Sequence, residues 1–89
     1  MGKVIVIDED NHGIVGVAKT LDGVFDCLCD GDWLHDGTPV WDEEENNYND
    51  LVQVFGPTWN EIIKEKLKTI SDFNTFFEGV FYLEEFEIY

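Results

Sequence analysis

Asp22, Asp26 and Asp30 recur every four residues. On an α-helix, with a rise of about 1.5 Å per residue, this spacing stacks three carboxylates in one column, about 6 Å apart. Like charges at i, i+4 cost an isolated helix roughly 0.2–0.5 kcal/mol per pair, so the column burdens the element that carries it. Asp22 gains from the positive end of the helix macrodipole; Asp26 does not, and Asp30 lies at the negative end. The chemistry open to such a column is ion pairing with Arg and Lys of another molecule, in a spacing comparable to neighbouring phosphates on a nucleic-acid strand.

Asp32 and Asp36 continue the patch past the helix. Asp42, Glu43, Glu44 and Glu45 place four carboxylates in a row, with Tyr48 and Asp50 close behind. No Lys or Arg interrupts residues 20–57. Tyr48, Trp41 and Trp33 stand near these acids as candidate aromatic anchors for a partner, Trp33 being the one better suited to the core. Glu78, Glu84, Glu85 and Glu87 form a third acidic cluster.

Twenty acidic residues against five lysines and no arginine give a formal charge of −15 on 89 residues. Self-repulsion of this size opposes a compact state while favouring solubility. A solvated acidic surface is the ordinary reading of such charge. Solubility, however, does not call for excluding lysine, which forms favourable i, i+4 pairs. Lys64, Lys66 and Lys68, interleaved with Glu61 and Glu65, show what balanced surface chemistry looks like in this chain.

Catalytic and metal chemistry find little support. Residues 8–13 resemble the start of an EF-hand loop, but Lys19 stands where the bidentate Glu belongs. His12 and His35 are the only histidines, and His35-Asp36 lacks the further ligands of a metal-hydrolase centre. No phosphate-binding Gly loop, nucleophile elbow or H-E-x-x-H is present. The expectation is therefore no enzyme, no cofactor and no metal. Cys27 and Cys29 complete no zinc site and read as reduced thiols of a cytoplasmic protein. No signal peptide or bilayer-spanning run is expected. The anionic surface also argues against binding nucleic acid or anionic lipid directly.

The elements that must position these groups follow from periodicity. Hydrophobic residues make up 44% and aromatics 15%, enough for a packed interior. Residues 3–8 and 14–18 read as a hairpin, with Gly16 marking a bulge or a close approach. Thr20 caps a helix whose Leu21, Val24, Phe25 and Leu28 form one apolar face, with Gly31 as its stop. A short strand over 38–41, an exposed loop over 42–47 and a short helix over 49–55 follow. Thr58 and Glu61 suggest a capping box for a helix burying Trp59, Ile62, Ile63, Leu67 and Ile70. Ser71 caps another short helix carrying Phe73, Phe76 and Phe77, ending at Gly79. Residues 80–89 close the fold as a strand, disturbed at Glu84-Glu85 by a bulge or an edge. The predicted fold is α+β: one small domain over 1–89, an antiparallel sheet of three to four strands, and three to four short helices packed on one face.

In size and charge, though in no motif, the chain is similar to the small acidic proteins with which phages and mobile elements block host defence nucleases. That resemblance implies an inhibitor acting as a DNA mimic, against a CRISPR effector such as Cas9 or a restriction system, in the host cytoplasm if phage-encoded. The expected partner is a basic nucleic-acid-binding protein, the inhibitor being a monomer or small homo-oligomer. The expected contact residues are Asp22, Asp26, Asp30, Asp32, Asp36, Asp42, Glu43, Glu44, Glu45, Tyr48 and Asp50. An immunity protein or antitoxin against a basic toxin would share these electrostatics, and an acidic structural protein would need no partner.

Overall fold

Four consecutive β-branched residues, Val4 to Ile7, and a glycine at φ +78°, Gly13, make the chain open as an antiparallel hairpin. Its strands are β1 (Gly2–Glu9) and β2 (Gly13–Ala18) in a computed structural model that describes residues 2–88. Ile7 pairs with Gly16 and Asp8 with Ile14, so Val15 is the extra residue of a bulge. Gly16 is also a close approach: a Cβ there would lie 2.5 Å from Cys27 Sγ. Both expectations for Gly16 therefore meet at one place.

Thr20 Oγ1 accepts the Gly23 N–H at 3.0 Å and starts α1 (Leu21–Asp30), which buries Val24, Phe25 and Leu28. Gly31 ends the helix through its bond to Cys27 O, but the left-handed residue is Asp32, at φ +62°. The backbone N–H groups of Trp33 and Leu34 both return to Leu28 O, which tucks Leu34 into the core. The buried Thr38 hydroxyl donates to Trp33 O and accepts from His35 N–H, both at 3.0 Å.

β3 (Pro39–Asp42) then pairs antiparallel with β4 (Asn47–Asp50) as a separate two-stranded sheet. The segment expected as an exposed loop is mostly the turn of this hairpin, with Asn46 at φ +53°. Asn49 and Asp50, expected in a helix, belong to the strand; α2 is Leu51–Phe55. Trp41 and Tyr48 sit opposite one another, their rings in edge contact at 5.2 Å, a cross-strand pair that stabilises so short a hairpin.

α3 (Trp59–Lys66) buries Trp59 and Ile63, with Leu67 following, while Ile62 and Ile70 are only half-buried. The expected capping box is absent: Thr58 lies at φ −98°, ψ 25°, outside the extended range an N-cap needs, and its side chain makes no cap bond. α4 (Ile70–Phe76) is capped by Thr69 instead of Ser71. Thr69 Oγ1 accepts from Asp72 N–H at 3.0 Å, and Asp72 accepts from Lys68 N–H at 3.2 Å.

β5 (Phe81–Ile88) returns beside β1 to give the order β2-β1-β5. Tyr89, expected in this strand, lies outside the described residues. Pairing runs unbroken from Gly2–Ile88 to Glu9–Phe81, so Glu84-Glu85 marks an edge strand and no bulge. The Asn74 amide donates to Leu83 O at 3.0 Å and accepts from Leu83 N–H at 2.7 Å on the side of β5 away from β1. Ile5, Ile7, Phe81 and Leu83 meet Phe25, Phe73 and Phe77 in one core. Phe73 and Phe77 centroids are 4.6 Å apart, and each such buried ring contributes about 1.5–3 kcal/mol. The result is the predicted small α+β fold, three strands in its main sheet and four helices.

Candidate protein-interaction surface

Most of the acids expected to make contact fall into two groups, apart from the third cluster, whose Glu84, Glu85 and Glu87 lie on β5. Asp22, Asp26 and Asp30 are exposed on α1, as the i, i+4 spacing demands. Asp26 meets Lys64 Nζ at 3.6 Å, so α3 sends one of its lysines to the middle of the column. Both side chains are well exposed, and such a pair contributes little stability. The side-chain carboxylates of Asp22, Asp30 and Asp32 have no hydrogen-bond or ion-pair partner among the described residues.

Asp42, Glu43, Glu44 and Glu45 form the second group, one wall of an open groove of about 820 Å³. Asp42 accepts from Glu44 N–H at 3.1 Å, and Asn49 Nδ2 donates to Asp42 at 3.1 Å and to Glu45 at 2.5 Å. These bonds fix the hairpin and leave the Glu43 and Glu44 carboxylates unpartnered among the described residues. The groove also contains Phe55 and Phe76, stacked at 5.4 Å, with Lys66 Nζ 5.5 Å from the Phe55 centroid. An aromatic face beside carboxylates suits a cation, and Lys66 already occupies that position. Asp72, not singled out from the sequence, lines the same groove. Its sequence signal is the T-x-x-D spacing from Thr69.

Two of the expected contact residues, both exposed, also make hydrogen bonds within the fold. Trp59 Nε1 donates to Asp36 Oδ1 at 2.6 Å, and Tyr48 Oη donates to Glu78 O at 2.9 Å. Tyr48 Oη also lies 2.8 Å from where a Cβ would stand on Gly79, which is at φ +82°. Asp50 occupies the N-cap position of α2 without a side-chain cap bond, and stays exposed.

Two groups have shifted proton affinity. Burial, reinforced by Asp26 and Asp30, pushes the Cys29 thiol up despite the opposing Lys64 and so disfavours its thiolate form. His12 Nδ1 hydrogen-bonds Glu9 and holds its carboxyl below the usual range, aided by the Asn11 N–H. The EF-hand-like segment spans the end of β1, the turn of the first hairpin and the start of β2, with His12 also in edge contact with Trp33 at 5.0 Å. Among the described residues, no three His, Cys, Asp or Glu side chains converge as metal ligands, and no helix is long and apolar enough to cross a membrane.

Compared with protein-family models, curated proteins and solved structures, the chain finds no significant match.

Proposed function

We propose that this chain is an acidic protein-binding inhibitor that occupies the nucleic-acid site of a larger basic protein, as a DNA mimic. The supporting observation is a set of exposed carboxylates without internal partners: Asp22, Asp30 and Asp32 around α1, Glu43 and Glu44 on the β3–β4 turn. A fold that wanted only stability would pair or space these charges. Long-range attraction speeds encounter with a basic partner, and carboxylates take the places of phosphates opposite Arg and Lys. A nuclease of cellular defence is the natural target, either a restriction enzyme or a CRISPR effector whose arginines and positively charged channel hold DNA. The site of action would be the cytoplasm.

The test is competition. A nuclease recovered with this protein from a host lysate should lose DNA binding in the complex, and its affinity for the protein should fall with salt. A partner that binds DNA and this protein together overturns mimicry.

A further inference from the structure

We propose that the outer face of the β2-β1-β5 sheet is a docking surface for a basic protein segment that carries apolar side chains beside paired cations. This deepens the reading above, on which the choice of a basic protein partner rests: the acids of α1 and the β3–β4 turn attract, and the sheet face holds.

The helices cover the sheet face that carries Ile5, Ile7 and Leu83. Strand alternation sends the intervening residues to the opposite face. Ile14, Val17, Tyr82, Phe86 and Ile88 stand there between 46% and 68% exposed. Among the described residues, only Tyr48 of the exposed large hydrophobics lies elsewhere. A contiguous apolar face of this kind marks an interaction site more often than a solvated surface.

Charge identifies the occupant. Asp8, on the central strand, has Tyr82 and Ile14 as its cross-strand neighbours, and Glu84 lies opposite Val6. Neither carboxylate has a hydrogen-bond or ion-pair partner among the described residues. An apolar partner would leave both desolvated and unpaired. A second copy would bring another −15 and a second set of the same two acids into one interface. A segment with two cations satisfies both. Asp8 and Glu84 are diagonal neighbours across β1 and β5, about 7 Å apart. Alternate residues of an extended chain, at about 3.3 Å per residue, present side chains at nearly that spacing.

The probe is the extended peptide Leu-Ser-Lys-Ser-Lys-Ser-Leu, with a control in which Ser replaces both Leu, each titrated into the ¹⁵N-labelled full chain. The Leu-bearing peptide should shift β1, β2 and β5 amides more strongly than the control does. Phe86→Ser and, separately, Asp8→Asn should each weaken it at least threefold, with the remaining amide spectrum retained as evidence of folding. Shifts from both peptides confined to α1 and the β3–β4 hairpin would overturn the sheet proposal while leaving the acidic-surface reading standing. Sheet shifts with α1 and the hairpin untouched would support docking and count against mimicry. No shifts anywhere would overturn the proposal. So would sheet shifts that grow with protein concentration before any peptide is added, because a second copy would then be the occupant.

Discussion

The indole Nε1 of Trp59 donates to the Asp36 carboxylate at 2.6 Å, tying the loop after α1 to the start of α3 across twenty-three positions of sequence. Trp59 is buried and its N–H needs a partner, so this acid is a strut while its neighbours face solvent. Asp36→Ala should cost about 1.5 kcal/mol, the low end for a hydrogen bond to a charged group. Asp22→Asn and Asp30→Asn should each stay within about 0.5 kcal/mol of the parent, as surface changes do. Urea unfolding of the three variants distinguishes the roles.

Gly16 and Cys27 occupy one space. Gly16→Ala should destabilise by about 1–3 kcal/mol, because its Cβ would meet Cys27 Sγ at 2.5 Å. Adding Cys27→Ala to that variant removes the sulfur and should recover part of the loss. A double-mutant cycle that comes out additive would exclude the contact as the cause.

The thiol of Cys29 should titrate above the range of a free cysteine, read from the pH dependence of its alkylation in a Cys27→Ala background. Lys64→Ala removes the one influence that lowers it and should move the midpoint further up. Asp26→Asn removes an opposing charge and should move it down. Opposite shifts from these two variants are the signature of the α1–α3 contact.

Glu9 should titrate below the ordinary range of a glutamate carboxyl, because His12 hydrogen-bonds it. Its folded pKa is depressed, so its contribution to stability is present above the unfolded value and is lost as pH falls through the folded one. Carbon-detected NMR titration of the Glu9 carboxyl gives the midpoint. His12→Ala removes the leading cause and should return it towards the ordinary value, with the corresponding acid-side loss of stability diminished.

Local signals carried much of this fold. Thr20 and the periodicity of Val24, Phe25 and Leu28 place α1 correctly, because both a cap and an apolar stripe act within a few residues. β4 was illegible for the converse reason. Asn47-Tyr48-Asn49-Asp50 contains no β-branched residue, and its pairing rests on Trp41 across the turn. Thr58 has the spacing of a cap but not the backbone, since the turn from Gly56, at φ +82°, delivers it in another conformation. The exposed acids of α1 and of the β3–β4 turn were readable from spacing. The bonds of Asp36 and Tyr48 were not, because Trp59 and Glu78 are remote in sequence. The apolar outer face of the sheet was hidden in β5, where aromatic residues on one side alternate with core residues on the other.

Asn74 has a consequence beyond local order. Its amide offers Leu83 the same donor and acceptor that an incoming strand would offer. One side chain therefore acts as the end-stop of a ladder, at the most apolar stretch of an edge from which fibrous growth could start. A chain seeking to extend the sheet there must first evict a resident that is covalently tethered, always present and already paired. On the β5 edge this block is independent of the repulsion that fifteen excess negative charges supply, and the salt that screens them leaves it in place.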